Sequence, residues 1–149
     1  MTHPLRLCAG LLCGAALLTA AWIGVDLSRP ARADLRVFDA GRVATVETQM
    51  WRSYYEHRRL RLFGQLSQLL RRQYDMPYWR SKVAAYHAAR AAAVFQRGRE
   101  RSERMKALPH LEEFYRLVER SSAGGPFDAR RAAELELEWW MIHRERARH

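Results

Sequence analysis

The chain has 149 residues, with 26 Lys and Arg against 16 Asp and Glu and a net charge of +10 at pH 7. Both cysteines, Cys8 and Cys13, lie near the start, so the rest of the chain can form neither a disulfide nor a cysteine metal site. The residues after Ala33 suffice for one small domain but not for two.

An apolar segment near the start is the most informative feature. Residues 7–25 form a run of 19 uncharged residues behind a short basic lead that includes Arg6. A membrane-spanning helix needs about 20 residues, whereas the apolar part of a signal peptide has about 7–15, so the length favours a span. Trp22, near the far end, is typical of an interfacial anchor.

A cleaved signal peptide is the alternative to an anchor. The motif Ala31-Arg32-Ala33 provides a small-residue cleavage site. The spacer between this site and the apolar segment is long, so we favour the uncleaved anchor. A lipoprotein cysteine at Cys13 is disfavoured because apolar sequence continues after it. We therefore divide the chain into an export signal or transmembrane anchor over residues 1–33 and a helical domain over residues 34–149.

Two signals for the side of the membrane conflict. The positive-inside rule would keep the domain in the cytoplasm, since four arginines follow the segment: Arg29, Arg32, Arg36 and Arg42. The signal-like layout, typical of a bacterial exported protein, favours export. We expect a single-pass protein with its domain on the extracytoplasmic (periplasmic) side, or a soluble periplasmic domain if the chain is cleaved after Ala33.

Helical periodicity dominates the rest of the chain. Apolar residues recur every three or four positions over residues 39–74, which predicts one long leading helix capped by Asp39, with Gly64 as its only point of bending. A second helix is predicted from about Pro77 to Gln96. Five of its residues form a face that lets a neighbouring helix approach closely: Ala84, Ala85, Ala88, Ala91 and Ala92.

The second half of the chain predicts two further helices. Residues 98–106 are expected to form a charged linker or a frayed extension, and a third helix follows over residues 108–121. After a Gly-Pro break, Asp128 is placed to cap a fourth helix. No segment alternates with a period of two. The predicted fold class is therefore all-α: an N-terminal membrane segment and a small bundle of about four helices with one long leading helix.

One internal similarity links the starts of two predicted helices. Phe38-Asp39-Ala40 matches Phe127-Asp128-Ala129, and further along Glu47 matches Glu136. An ancestral duplication would explain this, but only two copies exist. We favour two helices that share one capping solution.

Polar and aromatic residues cluster on the first two predicted helices. On the first helix the candidate ligand-binding residues are Glu47, Trp51, Tyr54 and Arg58, whose spacing places them on one helix face. On the second helix they are Tyr86, His87 and Arg90. An antiparallel pairing offsets the two groups by several turns, so a single shared pocket is disfavoured. The spacing of histidines and acidic residues matches no helical metal site, and we predict no catalytic residue, no metal site and no cofactor.

The positive charge is concentrated in the first half of the domain. Residues 39–104 contain 14 Arg and Lys against 6 Asp and Glu, whereas residues 105–149 contain 8 of each. The basic residues cluster around the first helical hairpin: Arg58, Arg59, Arg61, Arg71, Arg72, Arg80, Lys82, Arg97, Arg99, Arg101 and Arg104. Within this surface we predict contact with an anionic surface through Arg71, Arg72, Arg97 and Arg99.

Three functions fit these patterns. The favoured one is a non-enzymatic interaction module at the membrane surface, anchored by residues 7–25, that binds anionic lipid headgroups or a protein partner. The second is a small-ligand-binding domain or enzyme with a polar-aromatic pocket between the first two helices. The third is a nucleic-acid binder, which requires a cytoplasmic domain because an exported one rarely meets nucleic acid.

Overall fold

A computed structural model describes residues 3–30 and 33–146, with side chains from residue 8 onward. This part of the chain contains seven α-helices and no β-strand, which confirms the all-α class. In chain order the helices are α1 His3–Ser28, α2 Ala40–Tyr55, α3 Arg59–Gln73, α4 Tyr78–Arg97, α5 Arg101–Met105, α6 Leu108–Glu119 and α7 Ala129–Arg146.

The prediction of one long leading helix is wrong, because α2 ends before α3 begins. His57 adopts a left-handed conformation with φ of 57°. The Arg58 amide donates to the carbonyl of Ser53 at 2.9 Å, and the His57 amide donates to that of Tyr54 at 3.1 Å. These two bonds form a Schellman motif, which normally uses glycine at the left-handed position. The chain therefore turns at His57, whereas Gly64 lies inside α3.

The predicted charged linker contains the short helix α5. Glu100 and Glu103 form a reciprocal capping box at its start. Arg104 is buried, and its side chain donates to the carbonyls of Gly98 and Arg99, both at 3.1 Å. Arg104 thus belongs to the interior and not to the basic surface. The break at His57 and the formation of α5 explain why the bundle has more than the predicted four helices.

Helix α4 is the centre of the bundle. It packs against α1, α3, α5 and α6, and α6 packs against α7. Ala84, Ala85 and Ala91 are completely buried, so the alanine face permits close helix contact as predicted. One apolar cluster surrounds Leu111 and Leu137, between α4, α6 and α7. A second apolar cluster lies between α3, α4 and α6 and includes Leu70, Ala84 and Leu117. Burying each leucine stabilises the fold by about 1.5–3 kcal/mol.

The internal similarity corresponds to a shared helix cap. Asp39 accepts the Arg42 amide at 3.0 Å, and Asp128 accepts the Arg131 amide at 2.9 Å. The equivalence does not extend to the preceding phenylalanines. Phe38 is exposed, whereas Phe127 packs against the second apolar cluster. These contacts favour two helices with one capping solution.

Candidate functional site

Helix α1 contains the predicted membrane segment. Cys8–Ser28 is a stretch of 21 residues with a mean hydropathy of 2.0. At about 1.5 Å per residue this stretch is about 31 Å long, close to the hydrocarbon thickness of a bilayer. The helix is therefore long and apolar enough to cross a membrane, although a signal sequence has a similar composition.

The far end of α1 is joined to the domain through Asp26, whose exposed fraction is only 3%. Its carboxylate accepts the backbone N–H of Tyr78 at 3.2 Å and that of Trp79 at 2.6 Å. These amides lie in the first turn of α4, where backbone donors have no partner within the helix. Pro77, at the N-cap of α4, makes no side-chain cap hydrogen bond. Asp26 therefore caps α4 from a different helix, and its charge is favourable at that helix end.

Arg80 makes a second connection at the same place. It is 4% exposed, and its guanidinium donates to the carbonyls of Leu27 and Arg29, the latter at 2.7 Å. It also donates to the carbonyl of Arg120 at 3.2 Å and to the Ser121 hydroxyl at 3.4 Å. Burial lowers the pKa of Arg80, and the nearby charge of Arg120 lowers it further. Arg80 is thus a buried connector and not part of the basic surface.

Three aromatic side chains surround this junction. Trp22 stacks on Tyr78 with ring centroids 5.8 Å apart and meets the edge of Trp79 at 5.4 Å. Trp22 lies one helical turn before Asp26, so the aromatic group is level with the end of the apolar stretch. Tryptophan and tyrosine are enriched at that depth in membrane proteins, where the ring sits between hydrocarbon and headgroups.

Two cations lie on the same tyrosine. The Arg71 guanidinium carbon is 5.2 Å from the centroid of the Tyr78 ring, and the Lys82 ammonium is 5.1 Å from it. Neither cation belongs to an ion pair within the part of the chain that the structure describes. Arg71 is exposed and Lys82 is half-buried, and both lie beside the tyrosine that stacks on Trp22. We call Arg71, Tyr78 and Lys82 the junction cation group.

The four arginines predicted to contact an anionic surface lie at two ends of α4. Arg71 and Arg72, at the end of α3, lie beside the start of α4. Arg97 is at the opposite end of α4, and Arg99 follows it. All four are exposed. The 20 residues of α4 separate the two pairs by about 29 Å along the helix axis. The four arginines therefore form two separate pairs, and only the first pair lies beside the anchor junction.

The candidate ligand-binding residues of the first predicted helix do not share one helix face. Trp51 and Tyr54 are neighbours on α2, with ring centroids 5.8 Å apart. Trp51 also lies 6.0 Å from Trp139 of α7 and remains 42% exposed. Arg58 lies beyond the end of α2, where it pairs with Glu56 at 3.1 Å on the surface. The predicted alignment of Arg58 with the other three residues is therefore wrong, because the helix ends first.

Among the candidate ligand-binding residues of α4, His87 lies against His110, which the sequence analysis did not identify. The Nδ1 atoms of His87 on α4 and His110 on α6 are 3.3 Å apart. The rings of Tyr86 and His87 meet edge to face at 5.4 Å. Burial, with the charges of His87 and Arg90, lowers the pKa of His110. Trp51 and His87 thus have different neighbours, and the two clusters remain separate, as the helix register predicted.

A small cleft lies between α2, α3 and α4. Its volume is about 70 Å³, and its lining includes Ser53, Tyr54, His57 and Gln96. Of the seven candidate ligand-binding residues only Tyr54 lines it. A space of this size admits a few water molecules and not a metabolite.

Glu136 on α7 is the main titratable group that the sequence analysis missed. It accepts the Trp140 indole N–H at 2.7 Å and the Tyr115 hydroxyl at 3.4 Å. Burial raises the pKa of Glu136, the two hydrogen bonds oppose this, and the charge of Glu47 adds to the increase. Glu47 likewise adds to the raised pKa of Tyr74, which is mainly due to burial. The match of Glu47 with Glu136 in the internal similarity was the available signal.

The comparisons with known proteins give no relative. The chain matches no protein-family model, no curated protein and no solved structure.

Proposed function

We propose that the protein is a membrane-anchored, non-enzymatic interaction module that keeps α1 and holds its helical domain against the membrane surface. The observation that carries this proposal is the connection between α1 and α4. Asp26 caps α4, and Arg80 of α4 binds the carbonyls at the end of α1. A signal segment that is removed has no need of such contacts with the mature domain.

The energetics of these contacts favour retention of α1. Cleavage after Ala33 would remove the Asp26 carboxylate and two of the carbonyls that accept from Arg80. A buried group that loses its hydrogen-bond partner costs about 1–3 kcal/mol, and more when it is charged. The cleaved domain would therefore lose several kcal/mol of stability, a large part of the roughly 5–15 kcal/mol typical of a folded protein.

The junction cation group gives the interaction its chemistry. Arg71 and Lys82 lie beside Tyr78, which stacks on Trp22 at the end of the apolar stretch. At that depth two cations contact the phosphates of anionic lipid headgroups, and each contributes about 1 kcal/mol near the surface. Arg97 and Arg99 lie at the other end of α4 and are not part of this contact. The signal-like layout of the N-terminal segment favours the extracytoplasmic side.

The contacts weigh against the alternative of a small-ligand pocket between the first two predicted helices. The cleft lined by Tyr54 is too small for a metabolite, and Trp51 and His87 contact different neighbours. A pocket that binds a metabolite usually has a volume of about 300–1,000 Å³ with converging polar groups.

The lipid contact is tested with the full chain in nanodiscs of phosphatidylcholine, with and without phosphatidylglycerol. Two headgroup contacts worth about 2 kcal/mol together raise the Tm by about 6 °C in the anionic discs. We expect the double variant R71Q/K82Q to lose this increase and the matched double variant R97Q/R99Q to keep it. High salt should reduce the increase, since exposed charges are screened.

Two outcomes would contradict the proposal. One is an equal Tm in both kinds of disc for the unmodified chain. The other is a loss of the increase in R97Q/R99Q but not in R71Q/K82Q, which would move the contact to the distal end of α4. Inorganic phosphate is also added to neutral discs. An increase in Tm there would identify free phosphate, and not a lipid headgroup, as the anion.

A further inference from the structure

Two histidine side chains from different helices meet beside the core, away from the anchor junction. His87 on α4 and His110 on α6 are both half-buried, with ring centroids 5.5 Å apart and ring planes inclined by 47°. Their Nδ1 atoms are 3.3 Å apart. The two residues are separated by 23 positions in the sequence, which is why no spacing motif identified them.

The distance between the two nitrogen atoms fits a shared metal ion. Two imidazole nitrogens bound to a tetrahedral ion at about 2.0–2.1 Å, with an angle of about 109° between the bonds, are about 3.3 Å apart. At 3.3 Å the pair is also at the long end of hydrogen-bond distances, which for N–H donors to oxygen extend to about 3.2 Å. The pair is therefore spaced as two ligands on one ion would be.

We propose that His87 and His110 form a two-histidine site for a divalent transition metal ion such as Zn²⁺ or Cu²⁺. Neutral imidazole is a ligand that both ions prefer. The described residues contain no group of three or more His, Cys, Asp or Glu that could hold a metal, so the chain supplies two ligands and water completes the coordination. This proposal is independent of the anchor and of the lipid contact.

Arg90 limits the strength of the site. It lies three residues after His87 on α4, on the same side of the helix. Its positive charge repels a bound cation, so the affinity is modest. Glu113, one turn after His110 on α6, is paired with Arg116 at 3.1 Å and does not compensate for this repulsion. Removing the charge of Arg90 should therefore strengthen metal binding.

The test is calorimetric titration of Zn²⁺ and Cu²⁺ into the full chain in detergent, purified through a tag without histidine. We expect one ion per chain, with Cu²⁺ binding more tightly than Zn²⁺. H87Q and H110Q should each weaken binding at least tenfold. R90Q should strengthen it several-fold. His143 is exposed and lies against Trp139, with its Nδ1 3.0 Å from the Trp139 carbonyl and the two ring centroids 3.8 Å apart. H143Q is therefore the matched control and should bind like the unmodified chain.

Several results would overturn the proposal. The first is an absence of binding to the unmodified chain. The second is binding by H87Q and H110Q as tight as that of the unmodified chain. The third is a loss in H143Q as large as that in H87Q and H110Q, which would indicate dispersed surface histidines. Weaker binding in R90Q would also contradict it, because removing a positive charge beside a bound cation should reduce the repulsion. Circular dichroism of each variant separates lost binding from lost folding, and if one of the two histidine variants unfolds, the other alone tests the site.

Discussion

Replacing Asp26 with alanine removes both acceptors for the first amides of α4. In the intact chain these are the amides of Tyr78, at 3.2 Å, and Trp79, at 2.6 Å. Asp26 is 3% exposed, so water cannot readily take the place of the carboxylate. The negative charge that partly offsets the burial of Arg80 is lost as well.

The size of the effect follows from these contacts. Removing a helix N-cap costs about 1 kcal/mol, and leaving a further buried N–H without an acceptor costs about 1–3 kcal/mol. The variant D26A should therefore be less stable by about 2–4 kcal/mol. The variant D26N keeps one carbonyl oxygen of nearly the same shape, so it should lose about half as much.

The assay is thermal unfolding of the full chain in detergent, followed by tryptophan fluorescence. At about 3 °C per kcal/mol, D26A should lower the Tm by about 6–12 °C. The control is D34A, because Asp34 is exposed enough to lose its contact with Arg36 at no measurable cost. If D26A unfolds at the same temperature as D34A, Asp26 does not cap α4 and the connection between anchor and domain is refuted.

Three further predictions concern the interior of the domain. H57G should raise the stability by about 1 kcal/mol in chemical denaturation, because glycine adopts the left-handed conformation without strain; a decrease would contradict the Schellman turn. G98A should lower the stability by about 1–3 kcal/mol in the same assay, because a Cβ atom there would lie 2.8 Å from the Arg104 Cγ; an unchanged midpoint would show that Arg104 can move away. Burial, with His87 adding, lowers the pKa of His110, so the unfolded chain binds more protons and stability should fall as the pH drops below the ordinary value of 6.5. H110Q in EDTA should flatten that part of the pH profile, and an equally steep profile would assign it to other groups.

Local patterns predicted the class of the fold and several of its helix ends. Asp39 and Asp128 cap the helices that follow them, because a cap depends on residues only three positions apart. The alanine face of α4 is buried, because helical periodicity reports directly on a face. The turn at His57 was not predictable in this way, since its left-handed residue is neither glycine nor asparagine.

Contacts between distant parts of the chain could not be predicted from the sequence. Asp26 and Trp79 are 53 positions apart, so no spacing rule links them. Counting charges placed Arg80 and Arg104 on the basic surface, although both are buried with backbone carbonyls as partners. A sum of charges does not distinguish an arginine that faces solvent from one that binds carbonyls. The prediction that Arg71 contacts an anionic surface remains a prediction, now with Lys82 beside it.

The central claim is that the chain keeps α1 and that α1 holds the domain at the membrane. The most direct test is the intact mass of the protein, expressed with a C-terminal tag in a bacterial host and recovered from membrane and soluble fractions. We expect a species in the membrane fraction that still contains residues 1–33. A soluble exported species that begins at Asp34 would contradict it, because that species lacks Asp26 and the carbonyls of α1 that Arg80 binds.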